Sequence, residues 1–219
     1  MNKALLFSDL HTSNKMLSKL GDFLNENKIS LLIFVGDIVN MGEPVWFAER
    51  FIDFLDKYQL PFVWVPGNND FGRAYHKVNA KYKSVEGRYT KLFEREFTGV
   101  GGSPASWEGQ YAGEHMQENT KIGGSIFLSH YPPPGVLNYQ KFDLPSPTSE
   151  KKFSDSPLVH ICGHVHHQWG VAYLGQTKVV KLASLETGQF AIMDLDDLSI
   201  KFKRFPVSRV ISLMEDDQI

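Results

Sequence analysis

The sequence predicts an α/β fold: a parallel β-α-β-α-β opening followed by a β-rich, partly antiparallel second half. Three observations carry that prediction. Residues 4–7, 31–35 and 62–65 are uninterrupted apolar runs, as strands buried on both faces of a sheet are. The segments between them repeat apolar residues at helical spacing. From residue 96 onward, short apolar runs recur at intervals that suit paired strands, several close enough to form hairpins. At 219 residues the chain can bury roughly 70% of the surface its unfolded form exposes, so it needs neither disulfide nor metal merely to fold.

Residues 4–7 form the first predicted strand, followed by Ser8-Asp9. Residues 12–28 place Met16, Leu17, Leu20, Phe23 and Leu24 on one helical face, with Thr12 or Ser13 as the cap. The second strand, 31–35, stops at Gly36-Asp37. Pro44 suits the first turn of the next helix, whose buried stripe is Val45, Ala48, Phe51, Ile52 and Leu55. The third strand, 62–65, ends at Pro66-Gly67. Later strands are expected at 96–100, 125–129, 158–162, 171–174, 177–182, 190–195 and 200–205, with a hairpin turn at Gly175-Gln176. Residues 103–124 and the proline-rich 131–157 read as long surface loops, a length usually reserved for functional segments. The tail from 207 to 219 reads equally as a short helix or a frayed end.

The charges nearly cancel, 23 Lys plus Arg against 25 Asp plus Glu for a net −2. No basic footprint calls for nucleic acid or an anionic membrane. Cys162 is the single cysteine, which excludes an internal disulfide and suits a reducing, cytoplasmic setting. The apolar run near the start is too short for a signal peptide. None in the chain approaches the roughly 18 residues of a membrane span.

Five places put polar, metal-competent residues directly after an apolar run: Asp9-Leu10-His11, Gly36-Asp37, Gly67-Asn68-Asn69-Asp70, Ser129-His130 and Gly163-His164-Val165-His166. Ligand sites in open α/β sheets form beyond the carboxyl ends of strands. Side by side, these ends would gather Asp9, Asp37, Asn68, His11, His130, His164 and His166 into one space. Carboxylates and imidazoles packed together without a cation are hard to keep desolvated and correctly protonated. Divalent metals resolve the conflict, because imidazole nitrogen and carboxylate oxygen are their ligands. Seven such side chains are too many for one tetrahedral ion and suit two ions sharing a carboxylate.

In order and placement these pieces resemble the signature of the calcineurin-like metallophosphoesterases, which runs D-x-H, GD, GN-H-D, a strand-terminal H, then GH-x-H. The resemblance covers about residues 1–205. It implies a four-layer αββα sandwich, two mixed β-sheets flanked by helices in the metallo-dependent phosphatase-like manner. One domain would span 1–205, with a C-terminal tail over 206–219. It also implies a first metal held by Asp9, His11 and His166, a second by Asn68, His130 and His164, and a bridge at Asp37. A water or hydroxide shared by the two ions would be the nucleophile. Asp37, Asn68 and His130 take catalytic roles, and Asn69 and His167 substrate-binding ones. The implied cofactors are two divalent ions, manganese foremost, with iron, zinc and nickel admitted by the mixed N/O ligation. The implied activity is hydrolysis of a small phosphate ester, phosphodiesters slightly favoured. A nuclease of the same family and a non-catalytic protein-binding scaffold are the alternatives. Homo-oligomerisation is left open.

The chain departs from the signature at Asn69, where the family often has histidine. An amide donates a hydrogen bond but cannot act as a general acid near neutral pH. Good leaving groups are therefore expected, unless His167, His115 or His76 supplies the proton, and Asp70 lacks its usual partner. Elsewhere the plain readings hold. His160 is a satisfied strand histidine and Cys162 a buried apolar-like residue. Arg73 and Arg88 read as surface residues, and Gly101-Gly102 as a tight turn near the metals. His115 and Tyr131 could enter the pocket from the loops.

Overall fold

The structure, a computed structural model, describes residues 2–41, 45–102, 122–133, 136 and 156–206. The opening alternation is as expected: β1 (Lys3–Phe7), α1 (Asn14–Glu26), β2 (Leu31–Val35), α2 (Trp46–Tyr58) and β3 (Phe62–Val65). Ser13 caps α1, its hydroxyl accepting the Met16 N–H at 3.4 Å. Pro44 lies outside the described residues, as do most of the two long loops and the tail from 207. A third helix, α3 (Gly72–Lys81), and a short strand, β4 (Thr90–Leu92), were not foreseen. Then come β5 (Arg95–Val100), β6 (Ile126–Ser129), β7 (Val159–Cys162), β8 (Gly170–Leu174), β9 (Thr177–Lys181), β10 (Gln189–Asp194) and β11 (Ile200–Arg204).

These strands make two mixed sheets. One has the order β11-β10-β1-β2-β3 and the other β4-β5-β6-β7-β9-β8. β1, β2 and β3 run parallel, while β10 returns antiparallel to β1 with Leu5 opposite Ile192. In the second sheet β5, β6, β7 and β9 are parallel, and β8 closes the edge as the hairpin partner of β9.

Strand alternation divides the core. Leu5, Phe7, Leu32, Phe34 and Trp64 face the helices, packed on Leu17, Leu20, Phe47, Phe51 and Val78. Their neighbours Ala4, Leu6, Leu31, Ile33, Val35, Val63 and Val65 meet Phe97, Ile126, Leu128, Ile161 and Val180 between the sheets. Each buried side chain of this size contributes about 1.5–3 kcal/mol. All three described helices cover the first sheet. Among the described residues no helix covers the outer face of the second, where Cys162 and Val179 pack on Val136. His160 is the satisfied strand histidine expected. Its Nε2 lies 2.6 Å from Ser129 Oγ, whose own hydrogen goes to Tyr131 O. Burial pushes its pKa down to about 3, so the ring is neutral.

The parallel strands bring their carboxyl ends to one edge of the sandwich. His130, just past β6, hydrogen-bonds Val35 O at the end of β2. Gly163, just past β7, lies so close to Ser8 that a Cβ there would sit 2.0 Å from Ser8 Oγ.

Candidate metal centre

The backbone at this edge is bent to present donors. Asp9 (φ 53°), His11 (φ 45°), Asp37 (φ 63°) and His164 (φ 70°) all occupy the left-handed region. For residues with side chains each such conformation costs on the order of 1–3 kcal/mol and persists only where surrounding contacts impose it. Those contacts are visible. Asp9 N–H donates to Gly36 O at 2.9 Å, and Leu10 N–H to Asp37 O at 2.8 Å. Gly67 is required by close approach, because a Cβ there would lie 2.1 Å from Asp37 Oδ1.

Asp70, left without a partner by the sequence reading, is the main brace. It is buried, and its carboxylate accepts the N–H groups of Asp37 (2.7 Å), Ile38 (2.8 Å), Val39 (3.3 Å) and Gly67 (2.9 Å). It ties the loop after β2 to the loop after β3. Burial and the neighbouring Asp37 charge raise its pKa to about 6 against the pull of those N–H groups. Asp70→Ala leaves four buried donors unsatisfied. It should lower the unfolding free energy by about 3 kcal/mol in urea denaturation, with loss of metal binding in the fraction that remains folded.

All seven expected donors come together. Asp9 Oδ1 lies 3.3 Å from His166 Nε2 and 3.7 Å from His11 Nε2, and those two nitrogens are 3.0 Å apart. His130 Nε2 lies 2.9 Å from Asn68 Oδ1 and 3.2 Å from His164 Nδ1. Asp37 Oδ2 stands between the two sets, 3.6 Å from His11 Nε2 and 3.4 Å from His130 Nε2. Ligand atoms of Asp9, His11 and His166, and likewise of Asp9, Asp37 and His130, lie within 4.8 Å of one another.

The hydrogen-bond pattern fixes which ring atoms are free. His11 Nδ1 meets Asn40 Oδ1 at 3.0 Å, and Asn40 Nδ2 reaches His11 O. The ring therefore donates through Nδ1 and turns a lone pair inward at Nε2. His130 does the same, with Nδ1 on Val35 O at 2.8 Å. Such outer partners set the tautomer of metal-binding histidines. The inward lone pairs then face other acceptors, and Asp9 Oδ1 is buried with no hydrogen-bond partner at all. Acceptors converging on acceptors require a proton or a cation between them, so the donor set fits divalent metal.

The electrostatics describe the proton rather than the cation in that place, with His130 protonated against its acidic neighbours. Burial opposes charge on Asp9, yet its contacts with His11 and His166 hold its carboxyl well below the usual range. Burial lowers the His130 pKa, but the Asp37 charge, its hydrogen bond, Asp9 and the Val35 carbonyl outweigh it and push the value to about 9. Burial and the neighbouring His130 push His164 down to about 4.

The structure also places the other residues picked out in the sequence. Asn69 does not face the open side: its N–H donates to Asp37 Oδ1 at 2.8 Å and its Nδ2 to Asp37 Oδ2 at 2.7 Å. His167, His76, Arg73 and Arg88 are exposed, and His115 lies outside the described residues. Tyr131 is buried with its ring centroid 4.5 Å from that of His164. Gly102 does turn beside the site, where a Cβ would lie 2.9 Å from His130 Cδ2. The sequence reading missed Asn40, Ser184, whose hydroxyl donates to Asp9 O at 2.8 Å, and Ser8, which donates to Asp9 Oδ2. Only the position of Asn40, three residues after Asp37, hinted at a role.

The sequence pattern of the calcineurin-like phosphoesterases matches residues 3–168 of the chain. The chain belongs to this family. Solved structures similar to this calcineurin-like phosphoesterase include TT1561 of Thermus thermophilus, at 17% identity and TM-score 0.72, covering 93% of this chain and 98% of that one. An archaeal phosphodiesterase is similar at 14% identity and TM-score 0.57, covering 93% and 99%. Purple acid phosphatase PPD1 from yellow lupin (Lupinus luteus) seeds is similar at 12% identity and TM-score 0.51, covering 93% of this chain and 51% of that one. At these identities the likeness is one of fold. None of the curated proteins matches the sequence.

Proposed function

We propose that the chain is a metal-dependent phosphoesterase, acting on phosphodiesters and aryl esters in preference to alkyl monoesters, with one domain over residues 1–205. The observation that carries the reading is Asp37 Oδ2, held between one imidazole of each donor set at 3.6 and 3.4 Å. Asp9, His11 and His166 would hold one divalent ion and Asn68, His130 and His164 the other, with Asp37 shared. When bound, two such ions supply Lewis acidity that activates a water and offsets charge on phosphoryl oxygens.

The chain's own residues supply the rest. Asn40 and the Val35 carbonyl keep His11 and His130 as lone-pair donors at Nε2. Asn68, with Oδ1 turned toward His130, leaves its amide hydrogens to donate to a phosphoryl oxygen. His167 is exposed on the turn after His166, where it can meet the leaving group. No general acid stands at Asn69, which favours leaving groups that depart without a proton. The near-neutral charge favours a small ester over a polynucleotide.

The test is a hydrolysis screen of aryl and alkyl mono- and diesters in the presence of Mn²⁺, Fe²⁺, Zn²⁺ or Ni²⁺. Turnover should require added metal, vanish with chelator, and be fastest on the aryl diester. Absence of both metal binding and hydrolysis across the panel would refute the reading.

A further inference from the structure

From the end of β9, residues 181–186 run along two of the donor loops at once. Ser184 N–H donates to His166 O at 2.9 Å, Glu186 N–H to Asp9 O at 3.2 Å and Leu185 N–H to Ser8 O at 2.8 Å. The first residue of this bracket is Lys181, whose side chain is buried with only 1% of the residue exposed. Its Nζ donates to three backbone carbonyls, those of Val165 (2.9 Å), Gln168 (3.3 Å) and Leu182 (2.7 Å). Among the described residues no carboxylate forms an ion pair with it.

A buried ammonium is tolerated when polar groups replace the water it has lost. Lysine has three N–H donors, and three acceptors meet them here. Two of those acceptors belong to the turn from Val165 to Gln168, otherwise closed by a single long Gln168 N–H to Val165 O bond of 3.3 Å. That turn carries His166 and directly follows His164. The loops bearing Asp37 and Asn68 are tied by Asp70, whereas the side chain gathering the 165–168 turn is Lys181.

We propose that Lys181 is a positioning residue for the metal centre: its ammonium gathers the turn that carries His166 and follows directly on His164, one ligand of each donor set, and so governs how tightly both sets hold metal. The proposal rests on the reading of the site as a metal centre. Lys181 hydrogen-bonds backbone carbonyls and acts through the turn.

The experiment is calorimetric titration of the folded wild type, Lys181→Met and Lys181→Arg with Mn²⁺, alongside steady-state kinetics. Lys181→Met keeps the volume and loses the donors, and should bind Mn²⁺ about 10- to 100-fold more weakly, the usual effect of removing a group that orients metal ligands. Its hydrolytic rate should recover at high Mn²⁺ with substrate KM unchanged, and Lys181→Arg should bind more tightly than Lys181→Met. A purely structural role would lower the thermal midpoint of Lys181→Met and leave the Mn²⁺ affinity of the folded protein as in the wild type, which overturns the proposal. Failure of the wild type itself to bind Mn²⁺ would instead remove the metal-centre reading, and this proposal with it. If neither variant folds, ¹⁵N-lysine labelling of the wild type decides. The Lys181 ammonium resonance should exchange slowly and shift when Zn²⁺ is added, and absence of either overturns the proposal.

Discussion

Asp37→Asn should reduce hydrolysis of an aryl phosphodiester by at least about 10²–10³-fold, the scale on which single groups stabilising transition-state charge act. The substitution preserves shape and removes charge from the one oxygen that stands within 3.6 Å of His11 and 3.4 Å of His130. Both donor sets lose a shared anionic ligand, so metal content measured on the purified variant should fall together with rate. The backbone should survive, because four N–H bonds to Asp70 tie the two loops together, although the new amide gives up one of the two hydrogen bonds that Asp37 accepts from Asn69. Circular dichroism close to that of the wild type, with little metal and little turnover, is the expected combination. Retained turnover with full metal content would show that Asp37 is not a shared ligand.

Asn69→His should change selectivity more than it changes overall activity. In the wild type Asn69 donates its backbone N–H and a side-chain N–H to Asp37. It steadies a carboxylate, and an amide has no proton to give up to a leaving oxygen near neutral pH. A histidine here has a backbone N–H for the same bond and a ring that can carry a proton outward. General acid catalysis is worth about 10²–10⁴-fold for a poor leaving group and little for a good one. Alkyl monoester hydrolysis should rise toward the lower end of that range while aryl diester hydrolysis moves little. The pH–rate profile for the alkyl substrate should gain a falling limb on the alkaline side, where the new imidazolium loses its proton. Equal rates on both substrates before and after substitution, at unchanged metal content, would contradict this account.

Much of this site was legible because its donors follow strand ends, and strands of four or five consecutive apolar residues announce themselves. Asp9 after Phe7, Asp37 after Val35, Asn68 after Val65 and His130 after Ser129 could each be placed at an edge from local pattern alone. What holds them there was not legible. Lys181 lies near the end of an expected strand, and lysine is ordinarily a surface residue. It is buried because carbonyls 13 and 16 residues away in sequence converge on it, a tertiary fact. Asp70 looked like the companion of a missing histidine, yet its acceptors are filled by N–H groups whose approach depends on how two loops meet. α3 was missed because only Ala74 and Val78 are buried along its ten residues and it begins at a glycine. The return of β10 and β11 to the first sheet was beyond local reading as well. β11 pairs with its neighbour β10, but β10 pairs with β1 at the other end of the sequence, and nothing in a short window specifies so distant a pairing.

The left-handed backbone at Asp9, His11, Asp37 and His164 bears on what it takes to keep this chemistry. Glycine would relieve the left-handed strain at each of those positions, but it would also remove acceptors the fold uses, Asp37 for the Asn69 N–H and Asp9 for the His164 N–H among them. This rim therefore carries a conformational cost that its side chains offset in part by bracing the loops, and in the function proposed those same side chains are the ligands.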